Sequence, residues 1–266
     1  MEVIKIGALE YLHAPSISVP HCFTTRFGGV SEGQLASMNI GLTRGDKIEN
    51  VRKNYEILGN AVGFDPKNCV LTKQTHTDIV RPVTDADAGT GLYKEEFPPC
   101  DGLVTNTPGL ALVVFTADCT PVLLYDEVTG AVGAVHAGWK GTAQDITGKA
   151  VEAMVQNYGT DPRHIRAAIG PNIGQCCFET DRDVPDALLE TYGEAILPHI
   201  SQKGSKFYVN LKAINAYALA RHGVAQFDIS TDCTLCQTHR FWSARKHRDS
   251  RGSQGAIIVC KGGISL

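Results

Sequence analysis

No run in this chain approaches the roughly 18 uninterrupted apolar residues of a membrane-spanning helix, so a membrane partner is not expected. Charge of one sign is also missing. The 25 Lys and Arg stand against 28 Asp and Glu, a formal net charge of −3, and give no electrostatic ground for nucleic acid as a general partner. The apolar core of an export signal is absent near the start, where Glu2-Val3-Ile4-Lys5-Ile6 alternates apolar and charged residues, and the expected location is the cytoplasm. Nine cysteines are an odd number in a chain that is not short, so reduced thiols are expected rather than a disulfide framework. Fixed-period repeats and low-complexity tracts are absent too.

What is present is the composition of a soluble globular protein: 266 residues, 43% hydrophobic and 20% charged, expected to form a single domain over 1–266. Val51, Tyr55, Leu58 and Val62 recur at helical spacing, with Asp46 and Glu49 as a capping box and Gly63 as the stop. Ile146, Ala150, Met154 and Tyr158 mark a second helix ended by Gly159. Further helices are expected near 184–192 and 211–222, and strands at 167–169 and 256–259. The segment 70–83 is rich in β-branched but also polar residues, which predicts a strand at an edge or lining a site. Strands and helices alternating without a strict βαβ rhythm favour an α/β or mixed α+β domain.

The chemistry centres on 116–126 and 133–142, which read as two apolar strands joined by a turn. In a hairpin the start of one strand lies beside the end of its partner, so Cys119 and His136 become neighbours. Three readings follow. His76, Cys119 and His136 form a zinc site with an open fourth position; or Cys119 is a nucleophile with His136 as its base and Lys140 nearby; or both are buried packing residues. The glycine-rich turn after Arg26 suits an anion. Cys233 and Cys236 form the only CxxC, and without a second one a closed four-cysteine site is not expected, so they and Cys176-Cys177 are read as structural. The nine histidines are scattered with no His-x-His, which argues against a full multicopper centre.

Thr24-Thr25-Arg26, Gln74-Thr75-His76, Thr116-Ala117-Asp118-Cys119, His136-Ala137-Gly138-Trp139, Ile169-Gly170-Pro171 and Ser243-Ala244-Arg245 occur in order along nearly the whole chain. With these motifs the sequence resembles the laccase-domain family, once labelled multicopper polyphenol oxidases and now regarded as zinc-dependent purine nucleoside phosphorylases. The resemblance implies zinc (Zn2+) on His76, Cys119 and His136. It also implies phosphorolysis of adenosine, inosine, guanosine and methylthioadenosine, with adenosine deamination as a second activity. The implied fold is a central mixed β-sandwich flanked by helices, related to toxin-type cysteine deamidases. Arg26, Lys140 and Arg245 are then expected to gather phosphate, with Gln74 and Asp118 beside Cys119 and His136 in the catalytic set. One departure is visible: many members carry a double arginine and later Thr-Gly-Arg, where this chain has Arg245-Lys246 and then 250–255, Ser-Arg-Gly-Ser-Gln-Gly. Two rivals remain, a Cys119-dependent amide or peptide hydrolase acting in peptidoglycan editing and a non-enzymatic zinc-binding interaction protein.

Overall fold

The central strands are apolar on both faces, and such strands must be covered on both sides. The computed structural model, which describes residues 1–263, does this with two stacked six-stranded sheets. The first runs in the order β1 (Glu2–Ile6), β2 (Leu9–His13), β3 (His21–Thr24), β15 (Gln254–Val259), β7 (Ala111–Thr116) and β4 (Cys69–Leu71). The second runs β14 (Gln226–Ile229), β10 (Ile165–Ile169), β8 (Thr120–Asp126), β9 (Val132–Ala137), β6 (Gly102–Thr105) and β5 (Val80–Pro82). Both sheets are mixed: β4–β7, β5–β6 and β10–β14 pair in parallel and the other neighbours antiparallel. A small third sheet holds β11 (Glu179–Thr180), β13 (Lys206–Val209) and β12 (Ile200–Lys203).

Alternation along each strand assigns the layers. Leu112 and Val114 of β7 and Ala256 and Ile258 of β15 meet Leu103, Leu123, Tyr125, Val132, Ala134 and Ala168 of the other sheet in the sandwich interior. Their neighbours Ala111, Val113, Ile257 and Val259 turn outward onto Val51, Tyr55 and Leu58 of α1 (Ile48–Val62). Val122, Leu124, Val135, Ala167 and Ile169 pack outward against Ile146, Ala150, Val151 and Met154 of α3 (Ile146–Tyr158). Each fully buried Val, Leu, Ile or Met among them contributes about 1.5–3 kcal/mol, so the strand alternation fixes which face looks inward. The remaining helices are α2 (Trp139–Ala143), α4 (Asp183–Tyr192), α5 (Leu211–Arg221) and α6 (Ala244–His247). Among the described residues no helix is long and apolar enough to cross a membrane.

The helix ends bear out Gly63 and Gly159, both left-handed at φ 97° and 67°. The capping box is corrected: the residue before α1 is Lys47, with no side-chain cap. Asp46 instead accepts from Ser31 and Asn39 at 2.6 and 2.9 Å, tying the helix start to the preceding loops. The polar strand expected over 70–83 is also corrected. β4 ends at Leu71 and β5 begins at Val80, so the chain between them crosses from one sheet to the other carrying His76.

Candidate metal centre

Leu123 and Tyr125 of β8 and Val132 and Ala134 of β9 face the sandwich interior, and Cys119 and His136 continue those two alternations. The register pairs Pro121 with His136, as the hairpin reading requires. There the two sheets open into a cavity of about 470 Å³, whose wall includes Cys119, His136 and His76.

Asp101, fully buried just before β6, explains why His76 arrives from a loop. Its carboxylate accepts from the backbone N–H of Thr75, His76 and Thr77 at 3.1, 3.1 and 2.8 Å and from the Thr77 hydroxyl at 2.8 Å. These bonds replace the ladder partners of a strand and hold His76 at φ 64°, a left-handed conformation that a non-glycine residue keeps only when its surroundings impose it. The same carboxylate takes the Nδ1–H of His136 at 2.7 Å, so Nε2 is the ring nitrogen left to ligate a metal. One buried acid thus sets both histidines. Nothing in local spacing marks it; the only signal is a carboxylate placed directly before an apolar strand.

The electrostatics follow. Burial would raise the Cys119 thiol, but His136 and His76 bring it down to about 6. Burial would lower the His136 imidazole, but the Cys119 thiolate and Asp101 hold it up at about 9. The donor atoms of His76, Cys119 and His136 all lie within 4.8 Å of one another. Cys119 Sγ and His76 Nε2 are 3.8 Å apart, and the imidazoles stand edge to face, centroids 5.0 Å apart. Tetrahedral zinc with bonds of ~2.0–2.3 Å spans ligand edges of ~3.3–3.8 Å, so the residues fit. Gly138 is part of the fit: a Cβ there would lie 2.8 Å from His76 Cδ2 and 3.3 Å from Cys119 Sγ.

Arg44 and Arg251 line the same cavity. Neither makes an ion pair with a carboxylate among the described residues. Burial and then the like charge of Arg44 lower the Arg251 guanidinium. Arg44 Nε and Thr116 Oγ1 are buried without a hydrogen-bond partner among the described residues. Unpaired buried donors of this kind mark a place for an anion.

Residues 20–261 match the family described as multi-copper polyphenol oxidoreductase laccase. The chain belongs to this family. A relative from Deinococcus radiodurans, named purine nucleoside phosphorylase, is 36% identical over 251 residues, 94% of this chain and 92% of the relative. Purine nucleoside phosphorylase YlmD of Bacillus subtilis is 34% identical over 243 residues, 90% of this chain and 87% of its own. The crystal structure of YlmD from Geobacillus stearothermophilus matches with a TM-score of 0.91 at 31% identity, covering 97% of this chain and 98% of that one.

In this laccase-family chain the other expected site residues fall in different places. Gln74 lines the cavity, but its amide is taken up by the Phe115 backbone, accepting from N–H at 2.6 Å and donating to C=O at 2.8 Å. Asp118, left-handed at φ 85°, accepts from Thr234, Ser243 and the Arg245 amide at 2.6, 2.9 and 2.7 Å. It braces the turn that presents Cys119. Arg26 is outside the cavity wall, stacked 3.9 Å over Trp242 and donating to the carbonyls of Ala36 and Thr238. Lys140 lies with Trp139 beside α4, facing a separate depression. Arg245 reaches the Glu179 carbonyl at 3.1 Å, while its neighbour Ala244 is the residue that lines the cavity. Of the expected phosphate set, none lines the cavity that holds Cys119.

Proposed function

We propose that this chain is a zinc-dependent purine nucleoside phosphorylase working in the cytoplasm, on adenosine, inosine, guanosine and methylthioadenosine, with adenosine deamination as a second activity. One observation carries the reading: the three ligands His76, Cys119 and His136 open onto the same cavity as Arg44 and Arg251, neither of them ion-paired among the described residues. When bound, zinc supplies Lewis acidity and positive charge at that wall of the cavity. His76, Cys119 and His136 hold it, and Asp101 keeps His136 in the ligating tautomer. Arg44 and Arg251 hold phosphate so that one of its oxygens forms a bond to ribose C1′ while the bond from C1′ to the purine nitrogen breaks. Leu42, Leu71 and Phe115 give the base an apolar wall, and Gln74 fixes Phe115 in place. Gln74 and Asp118 therefore act by positioning. In deamination, water adds at C6 of adenine and ammonia leaves. Purine nucleosides and phosphate are the partners in this reading.

The assignment of phosphate to Arg44 and Arg251 makes a testable contrast. Each charge-assisted hydrogen bond contributes about 1.5–3 kcal/mol, so Arg251→Ala is expected to raise KM for phosphate by about ten- to a hundredfold with zinc content unchanged. Arg26→Ala is expected to leave that KM in place and to lower the melting temperature through its lost stack on Trp242. Initial rates at varied phosphate check both.

Cys119, His136 and Asp101 also have the arrangement of a thiol, an imidazole and an orienting carboxylate, which favours a hydrolase as the second reading. His76 separates the two, because a triad does not need it. The test is product chromatography of adenosine and inosine with and without phosphate. The phosphorylase yields free base and ribose 1-phosphate only with phosphate and loses this with His76→Ala; a thiol hydrolase keeps amide cleavage in that variant.

A further inference from the structure

Away from the cavity, four thiols converge. Cys176 and Cys177 follow β10, Cys233 and Cys236 follow β14, and those strands pair in parallel, so both segments leave the sheet at the same end. Their Sγ atoms all lie within 4.8 Å of one another. Cys176–Cys177, Cys176–Cys236 and Cys177–Cys236 are 3.6, 3.7 and 3.4 Å apart. A tetrahedron with metal–sulfur bonds of ~2.3 Å has edges of ~3.8 Å. A closed four-cysteine site is not expected without a second CxxC, but the adjacent pair Cys176-Cys177 stands in its place and brings the four thiols into one cluster.

The backbone around Cys233 suits a thiolate. The Gly174 amide donates to Cys233 Sγ at 3.1 Å, and the Leu235 and Cys236 amides also face it. Lys212, a buried ammonium that donates to the carbonyls of Ser230 and Asp232 at 2.7 and 2.6 Å, lies within electrostatic range of Cys233 and Cys176. Cys176 and Cys236 are exposed, which leaves a route in for an ion.

We propose that Cys176, Cys177, Cys233 and Cys236 form a second, closed metal site, a tetrathiolate for zinc. Binding exchanges four thiol protons for one divalent ion and leaves a net charge of −2 beside Lys212. With no open position the site is structural. It staples the two segments that brace the Cys119 turn: Ile173 N–H donates to Asp118 O at 2.9 Å, Asn172 to the Thr120 hydroxyl at 2.7 Å, and Thr234 to the Asp118 carboxylate at 2.6 Å. The two metal sites are thus joined through Asp118 and Thr120, one on each side of Cys119.

The test begins with the full-length His76→Ala/Cys119→Ala variant, which lacks two of the three open-site ligands. Native mass spectrometry is expected to find about one zinc per chain in it, against about two in the unaltered protein. Adding Cys233→Ser and Cys236→Ser removes the remaining ion. Cobalt loaded into the His76→Ala/Cys119→Ala variant shows the intense visible bands and thiolate charge transfer of a four-sulfur tetrahedron. Should the multiple variant not fold, Cys236→Ser alone, at an exposed position, changes the cobalt spectrum to that of a three-sulfur site. A His76→Ala/Cys119→Ala protein that binds no ion, with all four thiols open to alkylation or two of them joined by a disulfide two mass units lighter, overturns the proposal.

Discussion

Replacing Cys119 by alanine is expected to lower phosphate-dependent nucleoside cleavage by at least about a hundredfold, because a bound Lewis acid contributes several kcal/mol at the transition state and each ~1.4 kcal/mol is tenfold. The thiol is the one soft ligand of the three, and His76 with His136 alone are a poor tetrahedral set. The loss should fall on kcat, with the open-site zinc gone from the purified variant. The fold should survive: the hairpin that carries the site is held by the β8–β9 ladder and by Asp118, not by the thiol. Zinc content, kcat and melting temperature measured on one preparation separate lost chemistry from lost structure.

Asp101→Asn is the second large effect, and it acts on metal and stability together. The carboxylate accepts five hydrogen bonds, one from His136 and four from Thr75, His76 and Thr77. An amide of the same shape offers one acceptor oxygen and brings two further donors into a site that needs acceptors. Loss of such an outer partner of a ligating histidine typically weakens metal binding by about 10- to 100-fold. In the metal-free protein, where His136 faces Asp101 as an imidazolium, breaking that buried charged pair costs about 3–5 kcal/mol. The pH dependence carries a sign. Burial would raise the Asp101 carboxyl, but the hydrogen bond and charge of His136 and the donors of Thr77 hold it down at about 2. A depressed carboxyl stabilises fully above its ordinary value and loses that contribution as pH falls toward 2. Urea unfolding of the two proteins should therefore show their stability difference largest near neutrality and shrinking below about pH 4. Zinc titration of Asp101→Asn supplies the affinity.

The site was legible in the sequence where it depends on strand alternation and on neighbouring strands. Cys119 and His136 follow from the period of two along β8 and β9 and from their hairpin register. The two main helices follow from their apolar spacing and their glycine stops. His76 entered the zinc reading by residue type, and only the family motif chose that reading over its rivals, because its loop takes its hydrogen bonds from a side chain 25 residues away. The cavity arginines were hidden for the same kind of reason. Arg44 and Arg251 stand near opposite ends of the chain, brought together where Ser253 N–H donates to Asn39, 214 residues away, and Ile40 N–H to the Ser253 carbonyl. Gly41 allows the approach, since a Cβ there would lie 2.7 Å from Ser253 Oγ. Arg26 pointed the other way: its donors satisfy local carbonyls that no sequence pattern reveals.

The central claim is that purine nucleoside phosphorolysis in this chain runs through metal held by His76, Cys119 and His136. The most direct measurement is ribose 1-phosphate formation from inosine by the full protein, first stripped of metal and then titrated with zinc, beside His76→Ala treated alike. The account predicts no product from the stripped protein, recovery on adding zinc, and no recovery in His76→Ala. Undiminished, phosphate-dependent turnover by the metal-free protein would contradict it.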